Sequence, residues 1–159
     1  MHDLLPIAVR IAERLKARQE TVAVAESSSG GLISAALLAV PGASAYYLGG
    51  GVIYTGRALK QLLGVSRDAL TGMRSSSEPY AQFLAQTVRA KFRSSWGIAE
   101  TGAAGPSGNP YGDAPGHSCV AIAGVVERVL TLETAGADRE ANMRAFAAGA
   151  LRLLERELG

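Results

Sequence analysis

An apolar run, Thr21-Val22-Ala23-Val24-Ala25, breaks into Glu26-Ser27-Ser28-Ser29-Gly30-Gly31 and then into a helical-looking stretch from Leu32 to Val40. Strand, small-residue turn, helix: this order constrains the chain most, because it commits these residues to a βα unit. The turn gathers hydroxyls and unpaired backbone N–H groups at the positive end of a helix, where a phosphate or a developing oxyanion is stabilised. The same residues also suit a plain connection in which serines cap the helix and glycines ease the bend. The segment by itself leaves both readings open.

The rest of the chain repeats the alternation. Leu4, Leu5, Ile7, Ala8, Ile11, Ala12 and Leu15 recur at helical spacing, which predicts a first helix to about Arg18. A second strand is predicted over Tyr46 to Tyr54, its Gly49-Gly50-Gly51 implying a bulge or a close backbone approach. A short helix over Arg57 to Leu63 is closed by Gly64, and Ser66 can cap a further turn from Arg67 to Leu70. Ser76-Ser77-Glu78-Pro79 starts a longer helix that ends near Phe92.

Trp96 to Thr101 reads as a third strand, and it runs into fifteen residues without regular structure, 102–116. A loop of that length at a strand end is usually functional or disordered. Ser118 to Val125 and Arg128 to Thr134 form an antiparallel pair, and a last amphipathic helix is capped around Asp138. The expected architecture is therefore a three-layer α/β/α sandwich on a mixed, mostly parallel sheet of about five strands. Residues 1–159 are long enough for one domain with a sizeable core and too short for two ordinary ones.

No charged residue occurs from Ser27 to Gly56, but Pro41-Gly42 and the three glycines divide that stretch well short of the about 20 residues of a spanning helix. No membrane association is expected. The N-terminus lacks the basic region and apolar core of a signal peptide, so a cytoplasmic location is expected. Sixteen basic residues against fourteen acidic ones are scattered, which argues against nucleic acid as a partner. The lone Cys119 reads as a buried strand residue.

Common phosphate-loop, dinucleotide, nucleophile-elbow and zinc-helix motifs are absent, and His2 and His117 lie far apart, so neither a cofactor nor a metal is expected. Two loops leave strand ends, at Glu26-Ser27 and at Thr101-Gly102. In an open α/β sheet, ligands collect at such ends.

Six ordered pieces carry a resemblance: Ala25-Glu26-Ser27-Ser28-Ser29-Gly30-Gly31-Leu32, Val40-Pro41-Gly42-Ala43-Ser44, Gly50-Gly51-Val52-Ile53-Tyr54, Leu62-Leu63-Gly64-Val65, Thr101-Gly102-Ala103-Ala104-Gly105-Pro106 and Asp138-Arg139-Glu140. Together they resemble the CinA C-terminal domain family, whose enzymatic members are nicotinamide-nucleotide amidases, and the match runs nearly end to end. The resemblance implies a stand-alone, homo-oligomeric protein acting on a small-molecule mononucleotide. The reaction that the resemblance implies is hydrolysis of the carboxamide of nicotinamide mononucleotide to nicotinic acid mononucleotide and ammonia, without a metal.

In that resemblance Ser27 matches the nucleophile and Tyr54 the active-site tyrosine. A serine hydroxyl needs a neighbour to take its proton, and with no suitable histidine the candidates are Tyr54 and a lysine. The family's lysine position holds Leu59 here, with Lys60 one residue later. Adjacent side chains on a regular helix differ in direction by about 100°, so Lys60 substitutes for that lysine only if the backbone there is irregular. Ser29, Gly30, Gly31, Thr101, Gly102, Gly105 and Arg139 are the implied substrate contacts. A related amide hydrolase and a noncatalytic nucleotide-binding or competence-associated module stay open as alternatives.

Overall fold

The computed structural model describes the backbone of residues 1–159 and every side chain except that of Arg67. Its elements are α1 (Leu5–Arg18), β1 (Val22–Glu26), α2 (Leu32–Leu38), β2 (Tyr47–Val52), α3 (Gly56–Ala58), α4 (Glu78–Phe92), β3 (Trp96–Ala103), β4 (His117–Ala123), β5 (Glu127–Glu133) and α5 (Arg139–Leu158). The five strands form one sheet in the order β2-β1-β3-β4-β5. β1 pairs in parallel with β2 and β3, and β4 is antiparallel to both β3 and β5, so only β4 runs against the rest. The expected mixed α/β sheet is what forms.

Alternation along the central strands builds the three layers. Val22, Val24, Ile98, Val120 and Ile122 turn to one face and pack beneath α1, α2 and α5. Ala23, Ala25, Ala99, Cys119 and Ala121 turn to the other and pack against α4 and the segment from Leu59 to Val65. Small residues on the second face let α4 sit close: a Cβ on Gly97 would come 2.1 Å from the Ala85 carbonyl oxygen. Cys119 is buried, as its strand setting implies.

Helix signals read from the sequence carry over. Asp138 Oδ1 accepts from Ala141 N at 3.0 Å, and Ser77 Oγ accepts from Tyr80 N, with Pro79 in the first turn where its missing N–H does no harm. Ser66 precedes a single 3₁₀ turn, Arg67–Leu70, without making a side-chain cap bond.

Strand ends differ from the sequence reading for reasons of pairing. β3 extends to Ala103 because Gly102 and Ala103 pair with Ser118 and His117. β2 is shorter than predicted, since Tyr46 turns into the core and its hydroxyl donates to the Leu37 carbonyl. The glycines of β2 do both things expected of them. The register with β1 slips between Val22 and Ala23, and a Cβ on Gly50 would lie 2.3 Å from the Val24 carbonyl oxygen.

The predicted helix over 57–63 is irregular. Thr55 Oγ1 accepts from Ala58 N and opens α3, which passes at once into a π-helical turn, Leu59–Leu63, ended by Gly64 at φ +72°. A π turn inserts an extra residue per turn and so rotates the side chains beyond it about the helix axis. Among the described residues, no helix is long and apolar enough to cross a membrane, and no group of three or more His, Cys, Asp or Glu side chains could hold a metal.

Candidate active site

Two fully buried carboxylates underlie the turn after β1. Glu26 ends β1 and Glu100 lies beside it in β3, one residue beyond the paired Ala25 and Ala99. Charged side chains are almost never fully buried unless partnered, and both are. Glu26 Oε2 accepts from Ser29 Oγ (2.9 Å), Gly31 N (3.0 Å) and Ile33 N (2.9 Å), while Oε1 accepts from Ser34 N (2.8 Å) and Ser34 Oγ (2.6 Å). Glu100 accepts from Ser27 N (3.0 Å), Ser29 N (2.8 Å), Ser28 Oγ and Ser118 Oγ (3.1 Å). The turn is clamped from below by acceptors the chain supplies itself.

These bonds occupy groups that the sequence reading left for a ligand. The N–H groups at the start of α2, expected to meet an external anion, are given to Glu26. Ser29 is buried and both its polar groups are used. Gly30 N donates to the Ser27 carbonyl and Gly31 N to Glu26, and neither glycine lines a cavity of the cleft above the turn. Ser29, Gly30 and Gly31 therefore shape the turn. The signal for this was a single acidic residue in each of two otherwise uncharged strand sequences.

Above the turn lies a cleft of three adjoining cavities. The central one, of about 320 Å³, is lined by Ser27, Ile53, Tyr54, Leu59, Tyr80 and Thr101, among others. Ser27 is half-buried there, and among the described residues its Oγ makes no hydrogen bond. On one side, past Tyr54 and Gly102, a cavity of about 260 Å³ is lined by Ser28, Gly105, Asn109 and Arg139. On the other side, past Gly56, Leu59 and Ser75, a larger one of about 750 Å³ is lined by Arg57, Lys60, Asp68 and Tyr111.

The candidate site residues are thus sorted by position. Ser27, Tyr54, Thr101 and Gly102 meet in the central cavity. Arg139, at the first turn of α5, donates from Nη1 to the Gly105 carbonyl at 2.6 Å and from Nη2 to Tyr54 Oη at 3.3 Å. It bridges the loop after β3 to the tyrosine. Lys60 lines the large cavity, while Leu59, 2% exposed, lines the central one. The irregular backbone required for Lys60 to replace the missing lysine exists, yet the side chain beside Ser27 is still Leu59.

The long loop is held by charges that sequence reading did not connect. Arg74 forms a bidentate pair with Asp113 (2.6 and 3.1 Å) and lies over the Tyr111 ring, 5.5 Å from its centroid. Asn109 Oδ1 accepts from the N–H groups of Tyr111 (3.0 Å) and Asp113 (3.1 Å), an Asx turn that orders the tip. Asn142 Nδ2 donates to the Ala104 carbonyl at 2.8 Å and fixes the loop's base to α5.

His117 ties this network to the cleft. Its Nδ1 faces Glu133 and its Nε2 lies 3.0 Å from the Ser76 carbonyl, and Ser76 N in turn donates to Thr101 Oγ1 at 3.1 Å. Burial disfavours charge on the ring, but Glu133, the Ser76 carbonyl and Asp113 outweigh it and hold its pKa above the ordinary histidine value. A raised folded-state pKa gives stability that is complete below the unfolded value and is lost as pH rises through the folded one. Thermal unfolding between about pH 6 and pH 9 should therefore show a falling midpoint. His117→Gln should flatten that slope; an identical slope in the variant would remove His117 as its source.

Comparison with known proteins places this geometry. The profile of the CinA C-terminal domain matches residues 5–158. A CinA-like protein of Synechococcus sp. (strain CC9902) is 42% identical over 120 residues, 76% of this chain and 29% of that protein. One from Anaeromyxobacter sp. (strain K) is 38% identical over 144 residues, 91% of this chain and 35% of its own length. The chain thus spans about a third of the curated relatives it matches. A crystal structure of a competence-damaged protein (CinA) superfamily protein from Klebsiella pneumoniae 700603 superposes with a TM-score of 0.90 at 27% identity, covering 98% of this chain and 97% of that one. The competence/damage inducible protein of Agrobacterium tumefaciens gives 0.87 at 30% identity, covering 98% and 95%.

Proposed function

This chain belongs to the CinA C-terminal domain family, and we propose that it hydrolyses the carboxamide of nicotinamide mononucleotide to nicotinic acid mononucleotide and ammonia. The observation that carries this reading is one cavity shared by an unengaged serine hydroxyl, Ser27, and a phenol, Tyr54, above a turn clamped by Glu100. Clamping matters because attack requires the backbone that carries the hydroxyl to be held in place rather than to move through loop positions.

In the proposed reaction, Ser27 Oγ bonds to the amide carbon. Tyr54 takes up the serine proton as it gives its own to the leaving nitrogen, the C–N bond breaks, and ammonia departs. Water then adds to the serine ester, its proton passing back through Tyr54 to Ser27 Oγ, and the acid is released. Arg139, donating to Tyr54 Oη, fixes the phenol oxygen and leaves the phenolic proton free to point at substrate. Thr101 and Gly102 wall the pocket in which the ring sits.

A second reading, a noncatalytic nucleotide-binding module, draws support from Leu59, which leaves the central cavity without an amine. One assay separates the two: purified protein is mixed with nicotinamide mononucleotide and free ammonia is measured. The amidase reading expects ammonia and nicotinic acid mononucleotide in equal amounts over many turnovers. Binding without ammonia is the outcome of the module reading. The exposed Leu48 and Val52 of the edge strand β2 support, in the same proposal, assembly as a homo-oligomer.

A further inference from the structure

The large cavity beside the central one has a use that the carboxamide chemistry does not absorb. It is lined by two cations, Arg57 and Lys60, and among the described residues neither forms an ion pair. Its apolar floor is made by Leu59, Val65 and Leu70. Tyr111 at its rim is 51% exposed, yet its backbone is fixed by Asn109 and its ring is backed by Arg74, itself locked to Asp113. An exposed aromatic ring held this firmly is a ready stacking surface. Asp68 supplies a carboxylate of the kind that accepts ribose hydroxyls.

Arg139, by contrast, already donates to Gly105 and Tyr54, so the unengaged positive charge of the cleft lies on the Lys60 side. The cavity's about 750 Å³ falls within the range of small-molecule sites and exceeds what one phosphate group fills.

Resting on the amidase reading for the carboxamide end, we propose that this cavity is the phosphate and second-nucleotide subsite of the cleft. Arg57 and Lys60 meet the substrate's phosphate oxygens, Asp68 takes a ribose hydroxyl, and Tyr111 stacks a second base. The chain then binds nicotinamide dinucleotides as well as the mononucleotide, and Lys60 is a specificity residue instead of the proton acceptor.

Calorimetric titration with nicotinamide riboside, nicotinamide mononucleotide, nicotinamide adenine dinucleotide and adenosine monophosphate tests this. The mononucleotide should bind about 10- to 100-fold more tightly than the riboside, as a charge-assisted phosphate contact implies. Lys60→Met with Arg57→Ser should remove that advantage without touching riboside binding. Tyr111→Ala should weaken the dinucleotide about tenfold and leave the mononucleotide unchanged. All three residues are exposed, so the variants should fold.

Equal binding of riboside and mononucleotide, indifference of the mononucleotide to the Lys60 and Arg57 changes, or exclusion of the dinucleotide by a chain that binds the mononucleotide would overturn the subsite. If the riboside and both nicotinamide nucleotides fail to bind while adenosine monophosphate binds and loses affinity in the Lys60 variant, the carboxamide reading falls and the nucleotide subsite stands.

Discussion

In urea, the Glu26→Ala variant should unfold with about 3–5 kcal/mol less stability than the natural chain, at an unchanged denaturant slope. The Glu26 side chain is fully buried and accepts five hydrogen bonds, three from backbone N–H groups at the start of α2 and two from the hydroxyls of Ser29 and Ser34. Alanine leaves all five donors without their acceptor. A buried unpartnered donor costs about 1–3 kcal/mol, and water entering the vacated space recovers part of that sum. Helix α2 has no side-chain cap besides this one, because its N-cap is Gly31. Glu26→Gln should fall between, since the amide keeps one acceptor and turns the other into a donor facing donors. An unshifted urea midpoint in Glu26→Ala would mean that the turn is held by something other than its carboxylate.

Much of the architecture was legible because local chemistry and global fold agree. The apolar periodicity of α1, the proline and serine opening α4, the Asp138 cap of α5 and the glycines of β2 each carry their structural consequence in their own neighbourhood. The cleft was legible only as two loops at strand ends. Its organisation rests on partners distant in sequence: Glu100 lies 73 residues from Ser27, and Asp113 lies 39 from Arg74.

No local pattern announces such pairings. Glu26 and Glu100 look like ordinary charged residues until β1 and β3 are placed side by side, after which burial demands donors and the Ser27 turn supplies them. The same logic engages the polar groups of Ser29, Gly30 and Gly31 within the chain itself. The replacement of the family's lysine by Leu59 was visible in the sequence. Where Lys60 goes depends instead on the π turn after Ala58, a backbone choice made by packing of Leu59 and Leu63 against α4's side of the sheet.

Ser27→Ala should cut turnover of nicotinamide mononucleotide by about 10³-fold or more, because in the proposed reaction it deletes the atom that would bond to the amide carbon. The backbone N–H of residue 27 still reaches Glu100, so the turn, the fold and the affinity for the nucleotide should be retained. The decisive measurement compares ammonia release by the natural chain and by Ser27→Ala, each shown by calorimetry to bind the mononucleotide. The account predicts steady release from the first and none above background from the second. Equal release from both, or none from a natural chain that binds, would contradict it.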